Sequence, residues 1–322
     1  MADSTQKEGL PECPRCGYDL SGQVLAWQTT CPLEGVCSEC GLGLEFRLIF
    51  NPRLTKQRQY FEDAENQRAR ALLTTAFCCL RPRSFWRWVR MESEVNPGRV
   101  MVGAGVSGLL WFVVAGVIGW VVMFTLGVFQ GTWRMEPEHL WELLVASVSP
   151  WNEWDSYGPR LFGTKGLGKA FVFTVMAALL AALMPAAFLL LPDTLKRAKV
   201  RRVHLVRIAG WSWVPLPLLS QVWMWAPQAL FEADNLLFAS RWPPYSEGLI
   251  SWDLMSWLGE VRGPTLLCVF AVWLVAFWGV ACGRYLKLPR PFVISLVMCV
   301  VAGLVAVLVA LVLPGFSYFI AV

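Results

Sequence analysis

Ten cysteines are spread over 322 residues, and four of them recur in two like settings, "CPRCGYDL" from Cys13 to Leu20 and "CSECGLGL" from Cys37 to Leu44. Together Cys13, Cys16, Cys37 and Cys40 make a Cys-x2-Cys-x20-Cys-x2-Cys pattern. Thiolates at that spacing can close a tetrahedron around a borderline-soft cation such as zinc. Gly17 and Gly41 follow the second cysteine of each pair, where the chain turns back and a positive φ is needed. Four sulfurs leave no coordination position for water. The metal expected is therefore a structural zinc that staples a segment too short to build its own core. Cys31 is a fifth thiol where four suffice. Its distance from Cys37 is too long for a knuckle, so it reads as a spectator, with replacement of Cys37 as the alternative if the loop folds differently.

Nothing else in the chain has the pattern of a reactive centre, and no enzymatic activity is expected. The two histidines, His139 and His204, lack metal-ligand spacing to one another. There is no His-Glu-x-x-His and no Gly-x-Ser-x-Gly, and "GTKGLGK" at Gly163 to Lys169 follows no strand of the kind a phosphate loop requires. Asp193 reads as a helix-end residue near Lys196 and Arg197. The one polar irregularity in an apolar stretch is "GWSWVPLPLLSQVWMWAP", where Ser220 and Gln221 stand among prolines. They line a groove for a lipid or an apolar solute, or they belong to a kinked helix packed by its neighbours.

The elements that must carry these residues are set by composition. Hydrophobic residues make up 56% of the chain and charged ones 16%, with 18 Trp and a mean hydropathy of +0.49, the balance of an integral membrane protein. Five apolar runs reach the roughly 20 helical residues that a hydrocarbon core of about 30 Å demands. They lie near residues 100–129, 169–191, 208–231, 264–283 and 292–313, and Pro215, Pro217 and Pro227 mark the third as the most interrupted. Basic residues alternate between the connections. Arg81, Arg83, Arg87, Arg90 and Arg99 precede the first run, Lys196, Arg197, Lys199, Arg201, Arg202 and Arg207 follow the second, and Arg284, Lys287 and Arg290 follow the fourth. The positive-inside rule then places the N-terminus in the cytoplasm and the C-terminus outside. The first twenty residues have no signal-peptide pattern, which agrees with a reducing compartment and with metal rather than disulfides.

Three parts follow: residues 1–50 as a zinc ribbon of short β-hairpins, 51–99 as a basic interfacial linker, and 100–322 as a five-span helical bundle. The fold expected is mostly α. In the linker, Leu72, Leu73, Ala76, Phe77 and Leu80 recur at helical spacing, which predicts an amphipathic helix at the cytoplasmic interface with Phe85, Trp86 and Trp88 at headgroup depth. Packing of that helix on the protein's own spans is the alternative. Two further amphipathic helices are expected in the outer connections, at "EPEHLWELLVASV" and "SEGLISWDLMSWLGEV".

"CPRCGYDL" and "CSECG", followed by "LRPRSFWRWVRM" ahead of several spans, resemble uncharacterised bacterial multi-pass membrane proteins with an N-terminal zinc ribbon. "DSYGP" at Asp155 to Pro159 resembles the Asp-Leu-Tyr-Gly-Pro motif of the Yip-type family, with Ser156 in place of Leu and a position after the first span instead of before it. The resemblance implies the bacterial cytoplasmic membrane and supplies no activity. Residues 1–50 carry Lys7, Arg15 and Arg47 against seven acids, so nucleic acid is excluded as a partner. The function expected is non-enzymatic: a cytoplasmic ribbon that docks a protein partner, held at the lipid bilayer by the bundle. A small transporter or lipid-handling protein built on the third run is the alternative.

Overall fold

The computed structural model describes residues 11–27, 32–51, 54–57, 59–64, 68–129, 153–155, 158–160, 166–190, 199–238 and 252–312. The chain is mostly helical and divides into two compact units. Unit 1 gathers residues 1–103, 184–212 and 275–298; unit 2 gathers 104–183, 213–274 and 299–322. Cys31, His139, Asp193 and the helix expected at "EPEHLWELLVASV" lie outside the described residues.

Within unit 1, helix α1 (Ser21–Leu25) follows the first cysteine pair, and the second pair is embraced by β1 (Glu34–Val36) and β2 (Gly43–Glu45). The strands are antiparallel, with Gly35 opposite Leu44. Gly35 is required there by contact, because a Cβ on it would stand 2.4 Å from the Phe46 ring. Helix α2 (Phe46–Phe50) closes the ribbon, Trp27 meeting Phe46 edge-on at 4.7 Å. The linker folds as α3 (Arg68–Cys79) and α4 (Pro82–Trp88). Helix α3 buries Ala71, Thr75, Ala76 and Cys79 and turns Leu73 and Phe77 outward.

Phe85 and Trp86 correct the sequence expectation. Both are buried, at 1% and 2% exposure, against Tyr60, Phe277 and Tyr285, and only Trp88 of the three aromatics is exposed. Aromatic packing inside the protein, edge-on for Phe85 with Tyr60 and for Trp86 with Phe277, takes the place of the headgroup contact expected of them.

Four helices are long and apolar enough to cross a membrane among the described residues. These are Pro97–Leu126 within α5 (Pro97–Phe129), Phe173–Leu190 within α6 (Gly166–Leu190), Pro264–Tyr285 at the end of α9 (Trp252–Val280) and its π-helical turn Ala281–Tyr285, and Pro291–Val309 within α10 (Pro291–Val312). The third predicted run is not a single helix. It is divided into α7 (Arg202–Ser212) and α8 (Pro215–Phe238) by a turn in which Leu216 N–H donates to the Trp213 carbonyl. Pro215 has no N–H to give the preceding turn, and its ring disfavours helix in the residue before it. The helix expected at "SEGLISWDLMSWLGEV" is instead continuous from Trp252 through Pro264 into the third of the four apolar helices.

In unit 2, α5 and α8 run side by side in the same direction. A Cβ on Gly108 would touch Pro217 and Trp213, and one on Gly119 would stand 2.5 Å from Trp225. Met176, Ala306 and Leu267 pack together elsewhere in that unit. Asp155 stands opposite Gly158 at the end of a small antiparallel pair, β3 (Glu153–Asp155) and β4 (Gly158–Arg160).

Candidate functional site

The two cysteine knuckles have one backbone geometry. Cys13 N–H donates to the Tyr18 carbonyl and Gly17 N–H to the Cys13 carbonyl; Cys37 N–H donates to Leu42 and Gly41 N–H to Cys37 in the same way, all at 2.8–2.9 Å. Gly17 and Gly41 take φ of 79° and 67°, the left-handed conformation that glycine adopts without strain. The equivalent Leu20 and Leu44 turn inward and are buried. Sequence identity at the knuckles therefore becomes a pseudo-symmetric pair of turns aiming four sulfurs at one point.

Those sulfurs all lie within 4.8 Å of one another, with Cys13 Sγ 3.7 Å from Cys40 Sγ and Cys16 Sγ 3.7 Å from Cys37 Sγ. A tetrahedral ion with metal–sulfur bonds of about 2.3 Å has sulfur–sulfur edges of about 3.8 Å. The cluster fits a metal ion. Burial pushes the Cys13 and Cys16 thiols up, Cys16 to about 11, so a bound cation would have to displace their protons.

The ribbon also has a seat, which sequence reasoning missed. Arg201 N–H donates to the Arg15 carbonyl at 2.9 Å, and the Arg201 guanidinium lies against Gly17 and pairs with Glu12. Lys199 pairs with Glu39 of the second knuckle. His204, nearly fully buried, places Nε2 2.7 Å from the Pro14 carbonyl, and Nδ1 2.6 Å from the Tyr285 hydroxyl. A carbonyl only accepts, so Nε2 carries the proton and Nδ1 accepts from Tyr285. Burial, with help from Arg207 and Arg201, lowers the His204 pKa to about 4 and keeps this tautomer neutral.

Tyr285 leads from the ribbon to a second, wholly buried cluster. Its hydroxyl accepts from Arg207 Nη1 at 3.0 Å. Arg207 grips Glu62 through Nε and Nη2 at 2.9 and 2.6 Å, and spends its remaining donors on Ser93 Oγ and the carbonyls of Arg90 and Glu94. The other carboxylate oxygen of Glu62 accepts from Tyr60 at 2.6 Å and Trp211 Nε1 at 3.1 Å. The side chains of Arg207 and Glu62 are 0% and 1% exposed. Burial works against the charge on Arg207, and the neighbouring Tyr285 and Glu62 outweigh it, raising its pKa. Every donor of the guanidinium and both oxygens of the carboxylate are committed. This is a lock with no vacancy for a substrate.

Ser220 and Gln221 belong to unit 2, in α8. Both are buried; Ser220 Oγ donates to the Pro217 carbonyl within its own helix, and Gln221 Nε2 has no partner among the described residues.

Comparison with known proteins returned no matching family model, no matching curated protein and no matching solved structure. What stands is a four-cysteine cluster near the N-terminus of a multi-pass membrane protein with four long apolar helices among its described residues.

Proposed function

We propose that this is a non-enzymatic membrane adaptor. A zinc ribbon on the cytoplasmic face presents a docking surface for a protein partner, and five membrane-crossing helices hold it at the bilayer. Zinc is favoured by the all-thiolate donor set and the match to a tetrahedron with bonds of about 2.3 Å.

A fifth crossing is supported by the length of α8, whose 24 residues exceed the roughly 20 that a hydrocarbon core demands. Its parallel course along α5, past Gly108 and Gly119, supports the same crossing. Arg201, Arg207 and Arg284 all belong to unit 1, in keeping with one cytoplasmic side.

The adaptor reading rests on one observation: the ribbon uses its knuckle face on its own chain and leaves large apolar side chains uncovered. Leu25, Leu33 and Val36 are 85%, 75% and 61% exposed. Apolar side chains left in water at the membrane surface are what a partner would cover. Glu34 stands opposite Glu45 across the strands beside them, and since Glu45 is paired with Arg47, Glu34 is the charge that favours a basic residue next to a partner's apolar anchor. The test is crosslinking from a photoreactive residue at position 33 or 36 of the full chain in its own membrane. A discrete partner adduct that Cys37→Ser removes supports the reading. Adducts to lipid alone, at matched protein abundance, would reject it.

A further inference from the structure

Beside the buried lock, unit 1 has a groove of about 190 Å³ lined by Phe61, Ala64, Arg68, Gly98, Arg99 and Val102. We infer that this groove binds the phosphate of an anionic phospholipid, with the start of the lipid's glycerol and acyl region on Phe61 and Val102. A groove of that size has room for a phosphoryl group and its neighbouring carbons but not for a whole lipid, since drug-sized ligands already take roughly 300 Å³ or more. The rest of the molecule would extend along the span.

Three observations converge on that chemistry. The groove lies at the first turn of the apolar helix that begins at Pro97, the level at which a span passes from headgroups into hydrocarbon. Its two cations are exposed and differently held: Arg99 is anchored by one Nη1 bond to the Glu62 carbonyl at 2.9 Å, while Arg68 has no hydrogen-bond or ion-pair partner among the described residues. Planar guanidinium donors in that arrangement suit a phosphate. The remaining walls are apolar, and Val102 is 59% exposed, which a free phosphate ion would not use and an acyl chain would. The Asn96 side chain caps the helix by accepting from Arg99 N–H at 3.1 Å, so the Arg99 backbone is fixed before any ligand arrives. Glu62 does not oppose an anion there, because its carboxylate is already paired with Arg207.

The test is lipid binding to the full-length protein, purified in detergent and titrated with dioctanoyl phosphatidylglycerol, dioctanoyl phosphatidylcholine or inorganic phosphate while bound lipid is counted by native mass spectrometry. Wild type is expected to hold one phosphatidylglycerol in preference to phosphatidylcholine. Arg68→Gln should weaken it about fivefold, and Arg68→Gln with Arg99→Gln should abolish the preference, on the scale of one basic residue near an anionic surface. Arg68→Gln breaks no side-chain bond among the described residues and so reports on binding even if Arg99→Gln lowers the yield. Arg81→Gln with Arg83→Gln, exposed and outside the groove, should bind like wild type. Equal binding of the two lipids, an unchanged Arg68→Gln, or displacement by inorganic phosphate at equal concentration would overturn the proposal.

Discussion

His204 Nε2 stands 2.7 Å from the carbonyl oxygen of Pro14, 190 residues away in sequence and inside the first cysteine knuckle. With its other nitrogen on Tyr285, and Tyr285 on Arg207, this imidazole joins the metal-binding turn to the buried ion pair by hydrogen bonds that all donate toward the ribbon. Four side chains and one carbonyl thereby connect the first cysteine turn to the helices around the ion pair.

That imidazole should respond to acid in a definite direction. Its pKa is about 4 in the folded protein against an ordinary value of 6.5, so the unfolded or undocked state binds the extra proton first. The stability it contributes is present above pH 6.5 and is lost as pH falls toward 4, at most about 3 kcal/mol. Nitrogen-15 spectra of histidine-labelled protein should show a neutral Nε2–H tautomer at pH 6. A His204 midpoint near 6.5 would mean that the ribbon is not seated as described.

Breaking the Glu62–Arg207 pair from one side should be far worse than removing both charges. Glu62→Leu or Arg207→Met leaves one buried group without its counter-charge, a loss of about 3–5 kcal/mol. The double change Glu62→Leu with Arg207→Met should recover a good part of it. Thermal unfolding in detergent across the four proteins measures the coupling, and additive losses would show that the two charges do not stabilise one another.

The metal centre predicts one zinc per chain. Cys→Ser at positions 13, 16, 37 or 40 should lower the content severely, while Cys31→Ser should leave it intact. Zinc should also leave as pH falls, because protons compete for thiols that burial already favours in the protonated form. Metal analysis of each purified variant decides the assignment; full zinc in Cys16→Ser would refute it.

Five crossings and four crossings differ in where the chain's later connections lie. Cysteines introduced at Ser147 and Ser246 should react with an impermeant thiol reagent in intact cells, and one at Ala198 should not. Protection at Ser246 with reaction at Ser147 would show that α8 does not cross, and reaction at Ala198 would overturn the crossings assigned to α5 and α6.

Local chemistry made the cysteine cluster and the apolar helices legible without any structure. A Cys-x2-Cys-Gly turn is specified by four or five neighbouring residues, and a span by the hydropathy of about twenty. Both signals are complete within a short stretch, so Cys13, Cys16, Cys37 and Cys40 and the helices near 100–129, 169–191, 264–283 and 292–313 could be placed from residue types alone. The lock could not. Glu62 and Arg207 are separated by 145 residues, and each stands in a charged stretch whose ordinary fate is solvent. Arg207 reads in sequence as one more topogenic cation, and Phe85 and Trp86 read as interfacial aromatics, because composition reports how costly a group is in lipid but not which partner will relieve that cost. Only tertiary packing, which brings the ends of α4, α7 and α9 around Tyr60 and Glu62, supplies the donors that let an arginine be buried and gives the ribbon a seat.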